Sequence, residues 1–182
     1  MRAAKRLSQA ISEGDGISLI VEVDGPDAAR SAEEEGANAV LVFSGHEARL
    51  EPVAHATSLP VLFYFDGERA EAVRGADACV VHGDTDWLEQ VHEELTHAFE
   101  LAIRIEDDEQ LEEVLERFDP EILVLAGEGG DDRLEHVLHL LSDVPAGKLA
   151  IAEVGGVTAE EIRELERAGC DAVLVRAAPP SA

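Results

Sequence analysis

The sequence predicts a minimal (β/α)8 TIM barrel, with eight parallel strands joined by short helices and loops. Eight short apolar runs recur about every 22 residues along the chain. Three of them begin with nearly the same phrase: GANAVLV at 36–42, GADACVV at 75–81 and GCDAVLV at 169–175. A glycine that ends a helix, followed by a turn and a buried run, marks a helix-to-strand junction. Even spacing favours a closed barrel, although the pattern alone leaves a three-layer open sheet as an alternative.

The chain has 182 residues, whereas ordinary barrels of this kind need about 250 and usually at least roughly 200. This length supports one hydrophobic core and is too short for two generous domains. We therefore predict one domain over 1–182, with a short leading helix within 1–16 and the barrel over 17–178. The loops and helices must be trimmed, so a catalytic site built on long loops is the first feature such a chain would lose.

The predicted strands are rich in Val, Ile, Leu and Ala, as expected where both faces of a parallel sheet are covered. Helices between them follow from local signals, such as Pro26 at a first helical turn and Thr158 with Glu161 in a capping box. The strands are predicted at 17–23, 39–43, 61–65, 78–82, 100–105, 122–126, 149–154 and 172–176. The helices are predicted at 3–12, 26–36, 47–56, 67–74, 86–95, 107–117 and 131–142, with a last one after 158.

The chain is strongly acidic, with 40 Asp and Glu against 14 Lys and Arg and a formal net charge of −26. Such a surface repels nucleic-acid phosphate and anionic membranes, so neither is an expected partner. The acidic residues are spread along helix faces, which is typical of a solvated outer shell and is also favoured by a high-salt cytoplasm. No apolar stretch of membrane-spanning length and no signal peptide are visible, so we predict a cytoplasmic protein.

The cysteines and histidines give no disulfide or metal signal. Cys79 and Cys170 are too few for a disulfide framework and lack metal-type spacing, so we expect small buried hydrophobic side chains. His136 and His139 lie one helical turn apart, but polar surface positions explain them more simply than a metal site does. We therefore predict no metal and no cofactor.

Polar residues interrupt the apolar runs near the carboxyl ends of the strands, where a barrel of this kind carries its chemistry. There, carboxylates can serve as general acid and base, and arginines can hold a phosphate or carboxylate by paired hydrogen bonds. An ion-pair network, with Arg104 between Glu22 and Glu153, is the alternative interpretation, and the residues alone favour it. The candidate catalytic residues are Glu22, Asp24, Tyr64, Arg104 and Glu153.

Two glycine-rich loops follow strands 6 and 7, and their backbone N–H groups can cradle a phosphate beside a helix N-terminus. Glycine is also what a tight strand-to-helix turn needs, so both interpretations stay open. The candidate phosphate-binding residues are Gly127, Gly155 and Gly156, together with Arg176 at the end of strand 8.

The segment 151–162, IAEVGGVTAEEI, resembles a Ser-Glu-Ser-Gly-Ile core followed by Thr-Pro-Glu-Asp. That core belongs to strand 7 of indole-3-glycerol-phosphate synthase, a barrel lyase of tryptophan biosynthesis. The resemblance continues through 168–175 and includes 59–62 at the start of strand 3. It covers most of the chain from residue 17, and it implies the same barrel fold and a phosphorylated substrate.

The resemblance also implies roles for single residues. Glu22 and Glu153 match the family's strand-1 and strand-7 glutamates, and Gly155 matches a glycine that contacts substrate phosphate. Two lysines of the family are replaced in this chain. Asp24 stands in place of the strand-1 lysine, and Tyr64 stands in place of the strand-3 lysine, which is the family's proposed general acid.

Further departures concern the charges at the strand ends. A strand-5 glutamate becomes Arg104, a strand-6 asparagine becomes Ala126, and a strand-8 glycine becomes Arg176. The only lysines, Lys5 and Lys148, fall in the leading helix and before strand 7, away from the expected site. The family's reaction closes a ring. It needs a proton donor for the leaving hydroxyl and a cation near the carboxylate and phosphate of the substrate. An ordinary tyrosine, with a pKa of about 10, is a poor donor at neutral pH.

We therefore expect a shortened relative of this family whose carbon–carbon lyase activity is weak or lost. Two alternatives remain: a different lyase or isomerase that acts on a phosphorylated ligand, and a non-catalytic barrel that serves binding or assembly. The expected partner is a small phosphorylated ligand. A homodimer is expected if the trimmed helices leave apolar outer faces exposed.

Overall fold

The computed structural model describes residues 6–43, 45–65, 73–127 and 130–176. Its strands form one closed parallel barrel in chain order, and the last strand pairs with the first to complete the ring. The predicted (β/α)8 barrel is therefore confirmed, and the open-sheet alternative is wrong. The strands are β1 (Ser18–Glu22), β2 (Ala39–Val42), β3 (Val61–Tyr64), β4 (Ala78–His82), β5 (Glu100–Ile105), β6 (Ile122–Ala126), β7 (Leu149–Gly155) and β8 (Ala172–Val175).

The helices agree closely with the predicted ones, and the capping box is present: Thr158 and Glu161 each accept the other's backbone N–H. The helix predicted at 67–74 lies largely outside the described residues. None of the described helices combines the length and apolar character that a membrane span requires. They are α1 (Leu7–Ser12), α2 (Pro26–Glu34), α3 (Leu50–Ala56, after a 3-10 turn at Glu47–Arg49), α4 (Thr85–Ala98), α5 (Asp108–Arg117), α6 (Arg133–Ser142) and α7 (Ala159–Arg167).

The glycine of the repeated phrase ends the preceding segment in a left-handed conformation. Gly36, Gly75 and Gly169 have φ angles of +94°, +97° and +93°, which glycine adopts without the steric cost of a Cβ atom. After α7, the Gly169 N–H bonds the Glu166 carbonyl and the Cys170 N–H bonds the Leu165 carbonyl. This is the hydrogen-bond pattern of a Schellman motif, so the glycine turns the chain from helix to strand.

The Asn or Asp of the repeated phrase holds a neighbouring strand in register. Asn38 donates its backbone N–H to the Leu19 carbonyl at 2.8 Å, and its side-chain oxygen accepts the Leu19 N–H at 2.9 Å. A side chain thereby satisfies a strand-start N–H that would otherwise lack a partner. The same pair of bonds joins Asp77 to Val61 and Asp171 to Ala150.

Side chains alternate between the barrel interior and the space beneath the helices, because successive strand residues point to opposite faces. The outward residues pack with the helices into a large apolar cluster that includes both buried cysteines, as predicted. The inward residues form a separate apolar cluster that fills the barrel. Its strand members include Ile20, Leu41, Leu62, Val80, Ala102, Val124, Ile151 and Leu174.

The amino end of the barrel is closed by α1. Leu7 and Ile11 join the inner cluster and are 0% and 3% exposed. The Glu100 carboxylate, at the start of β5, accepts the Leu7 and Ser8 N–H groups and the Ser8 hydroxyl. Because the first N–H groups of a helix have no partner within the helix, Glu100 both caps α1 and ties it to the barrel.

Candidate active site at the barrel mouth

Each strand contributes one inward-facing residue at its carboxyl end to a layer that we call the mouth. Each of these residues lies two positions beyond an apolar residue of the inner cluster and therefore on the same side of the sheet. Four of the five predicted catalytic residues come together here. The odd-numbered strands supply Glu22, Tyr64, Arg104 and Glu153, and the even-numbered strands supply Phe43, His82, Ala126 and Arg176.

Five side chains form an alternating row of carboxylates and guanidinium groups across the mouth, which we call the ion chain. In spatial order they are Glu22, Arg176, Glu153, Arg104 and Glu106. Arg104 Nε donates to Glu153 Oε2 at 2.6 Å, and Arg104 Nη1 bonds Glu106 Oε1. Arg176 lies 3.6 Å from Glu22 and 3.8 Å from Glu153, as measured between the closest N and O atoms.

The predicted position of Arg104, between Glu22 and Glu153, is corrected in one respect. Arg104 lies between Glu153 and Glu106, and Arg176 is the residue between Glu153 and Glu22. Glu106 follows β5 directly, so its position in the ion chain comes from the path of the loop after β5, which strand alternation does not give.

Burial differs strongly along the ion chain. The Glu153 and Arg104 side chains are 7% and 15% exposed, whereas those of Glu106 and Arg176 are 50% and 46% exposed. Burial lowers the pKa of Arg104, but the hydrogen bond and the charge of Glu153 outweigh it, and the net shift is upward. Arg104 therefore stays charged, and the buried centre of the ion chain is its pair with Glu153.

Aromatic rings cover the other side of the mouth. The Phe43 and Tyr64 rings are stacked at 5.1 Å, and the His82 ring meets the Tyr64 ring edge-on at 5.3 Å. The Arg176 guanidinium lies 4.3 Å from the Phe43 ring centre, a distance at which a cation is attracted to an aromatic face. The Tyr64 oxygen is 3.3 Å from His82 Nε2, within hydrogen-bond reach.

Tyr64 is a weaker acid than an ordinary tyrosine. Its pKa is raised to about 12, chiefly by burial; Arg104 lowers it and the Glu153 charge raises it further. The structure thus adds a physical reason to the one read from the sequence for doubting Tyr64 as a proton donor near neutral pH.

Asp24, the fifth predicted catalytic residue, does not join this cluster. It is exposed beyond the end of β1, and among the described residues no hydrogen bond or ion pair includes it. Lys148 is also remote, because its Nζ atom bonds Asp119 and the Pro120 carbonyl at the opposite end of the barrel. Within the described part of the chain, the mouth therefore contains arginine and no lysine.

Two of the predicted phosphate-binding glycines make room for an arginine. A Cβ atom on Gly127 would lie 2.7 Å from Arg133 Cγ, and one on Gly155 would clash with Arg133 Nη1. Gly155 also has a φ of +75°, beyond a register shift between β7 and β8 that ends the regular strand alternation. A Cβ atom on Gly156 would meet nothing within 4 Å, so packing does not require glycine there.

Arg133 is the residue that sequence reasoning missed at this edge of the mouth. It stands at the first position of α6, and its Nη1 donates to the Val154 carbonyl at 2.9 Å. Its Nε is buried and has no hydrogen-bond partner among the described groups. No local pattern reveals this contact, because it joins loops that are more than twenty residues apart in the chain.

The rings of the two α6 histidines have separate partners. His136 Nε2 lies 2.6 Å from the Glu106 carbonyl, whereas His139 Nε2 lies 3.2 Å from Asp108. The two rings are therefore not arranged around a common point, and both contacts are exposed. His139, Asp108 and Asp143 bring ligand atoms within 4.8 Å of one another, but all three residues are exposed.

Fold and mouth together define a (β/α)8 barrel whose candidate site is an arginine–carboxylate cluster. No family model matches the chain. It is 30% identical to the indole-3-glycerol phosphate synthase of Shouchella clausii, over 86% of this chain and 69% of that protein. It is also 30% identical to that of a Geobacillus species, over 81% of this chain and 64% of that protein. The chain belongs to the indole-3-glycerol phosphate synthase family and spans about two thirds of the length of these relatives.

Solved structures support the fold. The phosphoenolpyruvate phosphomutase of Streptomyces platensis superposes with a TM-score of 0.68 over 92% of this chain and 78% of that one. The sequence identity is 15%, so this likeness concerns the barrel architecture alone.

Proposed function

We propose that this chain is a family member in which the ring-closing activity is weak or lost, and that its mouth binds a small phosphorylated ligand. The observation that carries the first part is the kind of cation at the mouth. Among the described residues these cations are arginines held by carboxylates. Asp24 and Tyr64 occupy the positions at which the family resemblance expects lysines.

The mouth is poor in groups that can deliver a proton. A guanidinium group keeps its proton throughout the physiological range. A phenol with its pKa raised to about 12 rarely gives one up at neutral pH. Histidine is the most frequent general acid or base in enzymes, and His82 lies beside the Tyr64 oxygen. We expect any residual turnover to depend on His82.

Arg133 supports the second part of the proposal. It places a guanidinium group beside Gly155, the glycine that the resemblance matches to a phosphate contact. A cation at the first position of a helix is disfavoured by the helix dipole, and its buried Nε has no partner among the described groups. A bound anion would relieve both costs. The phosphate-binding residues that we propose are therefore Arg133, Gly155 and Gly156.

Turnover of the family's anilino-deoxyribulose phosphate substrate tests the first part, at low salt and at molar salt. Losing a general acid typically costs about 100-fold or more, so we expect turnover at least about 100-fold below a lysine-containing relative assayed alongside. His82→Gln should abolish whatever remains. Turnover close to that of the relative, in either salt, would show that the arginine mouth supports the family reaction.

A repair experiment sharpens this test. The double variant Tyr64→Lys/Arg104→Glu restores a lysine on β3 and a glutamate on β5, the residues that the family resemblance expects there. We expect turnover to rise about tenfold or more over the unmodified chain. The matched control is Tyr64→Met/Arg104→Glu, which has the same second change without the lysine. Equal turnover in the two variants would count against the lysine explanation.

Phosphate binding is tested separately by thermal unfolding in rising inorganic phosphate, with chloride as the ionic-strength control. A ligand that binds the folded state and not the unfolded state raises the unfolding temperature as the ligand concentration rises above its dissociation constant. We expect stabilisation that Arg133→Met removes and that Arg30→Met, which deletes an exposed arginine on α2, retains. If both variants respond like the unmodified chain, Arg133 is not the phosphate-binding residue.

A non-catalytic barrel is the second candidate, and the ion chain is the observation that favours it. Both mouth arginines already have carboxylate partners, so a ligand must compete with Glu153 and its neighbours for them. Absence of both turnover and phosphate stabilisation would support this candidate and remove the phosphorylated ligand from the proposal.

A further inference from the structure

A cavity of about 510 Å³ opens beside the mouth, between the carboxyl ends of β4 and β5 and the first turns of α4 and α5. This volume lies within the range of small-molecule sites, which is roughly 300–1,000 Å³. The cavity shares His82 and Glu106 with the mouth, but it lies apart from the glycine loops of the phosphate-binding proposal. The lining residues that the structure describes are His82, Asp84, Trp87, Glu106 and Gln110.

The polar wall of the cavity is fixed in place by its surroundings. Gln110 Oε1 accepts the Glu106 backbone N–H at 2.7 Å, which leaves the amide NH₂ group as its remaining donor. A Cβ atom on Gly83 would lie 2.9 Å from both the Gln110 amide carbon and the Arg104 carbonyl oxygen. Glycine at position 83 therefore lets the Gln110 side chain lie flat against the β4 loop.

The aromatic wall is held just as firmly. Trp87 is half-buried, and its ring packs against the buried Phe65 at 6.1 Å with an interplanar angle of 35°. Asp84 caps α4 by accepting the Trp87 backbone N–H at 3.1 Å, so the cap fixes the start of the helix that carries the indole ring. A rigid aromatic side chain and a carboxylate thus face one cavity.

The negative charge of the described lining favours a cationic ligand. Asp84 and Glu106 are both exposed carboxylates, and no arginine or lysine is among the described lining residues. Arg104 bonds Oε1 of Glu106, and within the described part of the chain no hydrogen bond includes Oε2. Two carboxylates repel an anion, and an aromatic ring attracts an organic cation more than it attracts a strongly hydrated metal ion.

We propose that this cavity binds a small organic ammonium ion, with the cation held between the Trp87 ring and the carboxylates of Asp84 and Glu106. The Gln110 amide and His82 bind polar groups on the remainder of the ligand. Aromatic rings combined with carboxylates are a general means of recognising alkylated ammonium groups. The site is separate from the phosphate-binding group on the β6–β7 side of the mouth, so one proposal does not depend on the other.

Trp87 makes the test direct, because it is the only tryptophan of the chain and its ring lines this cavity. The probe is choline chloride, which replaces sodium chloride at constant ionic strength. We expect a saturable change in tryptophan emission with choline and none when potassium replaces sodium. A response that rises linearly without saturation, or one of equal size with potassium, would overturn the proposal.

Matched variants locate the site. Asp84→Asn removes a lining charge but keeps a residue that caps helices equally well, so α4 is retained. We expect choline affinity to fall about threefold, and about tenfold in Asp84→Asn/Glu106→Gln. The control is Asp86→Asn, which removes one exposed charge from α4 outside the lining and should change affinity less than about twofold.

Far-ultraviolet circular dichroism checks that the double variant is folded. If the folded double variant binds choline with unchanged affinity, the response comes from another place and the proposed site is refuted. The test uses neither phosphate nor the family substrate. Its failure therefore leaves the proposed function standing, and failure of the proposed function leaves this site untouched.

Discussion

The two ends of the barrel are closed by different physics, although the same strands run through both. At the amino end, α1 inserts Leu7 and Ile11 into the inner cluster, and the Glu100 carboxylate accepts neutral N–H and O–H donors, with the exposed Arg6 3.9 Å away as its charged partner. At the mouth, Glu153 is satisfied by two arginines, and charge alternates across the layer. The amino end thus gains stability mainly from apolar burial, which depends little on salt or partners.

At the mouth, the attraction between charges must offset the cost of removing them from water. Buried ion pairs recover their desolvation cost only when every charge is matched, so they add less stability than apolar packing of the same volume. They do hold charged groups in fixed positions where a ligand can compete for them. The amino end therefore mainly stabilises the fold, whereas the mouth retains the charged groups of a binding site.

The largest effect should come from the amino end. Leu7→Ala removes a fully buried side chain from the inner cluster, and we expect a loss of about 3 kcal/mol in the free energy of unfolding. Urea denaturation measures it. A loss below about 1 kcal/mol would mean that α1 does not close the barrel in solution, and the contrast between the ends would disappear.

The next effect compares two carboxylates that bind the same arginine. Glu153→Gln removes the buried partner of Arg104, and we expect a loss of about 2 kcal/mol. Glu106→Gln removes the half-exposed partner, and we expect about 0.5 kcal/mol, decreasing further in molar salt. Equal losses in the two variants would contradict the burial gradient along the ion chain.

A double variant serves as the control for this pair. Arg104→Met/Glu153→Leu replaces the buried ion pair by apolar side chains, and such exchanges are commonly neutral or stabilising. We expect the double variant to be more stable than Glu153→Gln alone. If it is less stable, the pair contributes more than charge matching, and the mouth is closer to the amino end in character.

A further effect appears at alkaline pH and separates the two ends by titration. Burial raises the pKa of Cys170, near the amino end of β8, from 9.0 to about 11, and that of Tyr64, at the mouth, from 10.0 to about 12. Both groups are neutral when protonated, so each contributes stability below its ordinary pKa that is lost as the pH rises toward the raised value. The loss should be about 1.4 kcal/mol for Cys170 at pH 10 and for Tyr64 at pH 11.

Urea denaturation at pH 8, 10 and 11 checks this order. Cys170→Ala should flatten the decrease between pH 8 and 10, and Tyr64→Phe should flatten the decrease between pH 10 and 11. Cys79, whose pKa burial raises to about 12, titrates in both variants and serves as a common background. The same pH profile in both variants and in the unmodified chain would argue against the burial of these two groups.

Most of the fold was predictable from the sequence, because its signals are local. The repeated phrase combines a glycine at positive φ with an Asn or Asp that bonds the start of a neighbouring strand, as at Gly36 and Asn38. Strand alternation alone also predicts that Glu22, Tyr64, Arg104 and Glu153 lie in one layer, and this prediction does not require the dimensions of the barrel. The roles assigned to these four residues remain predictions.

Other contacts of the site depend on the paths of the loops, which the sequence does not predict. Asp24 leaves the cluster because β1 ends at Glu22, and Glu106 enters the ion chain through the loop after β5. Arg133 reaches Gly127 and Gly155 across loops that no local pattern connects.

The sequence by itself determined which residues form strands and which of them face inward, because backbone conformation and alternation depend on near neighbours. The tertiary structure alone decided which charge pairs with which, and which glycine makes room for which side chain. Those contacts join residues distant in the chain, and their distances depend on barrel closure and loop path, which near neighbours do not specify.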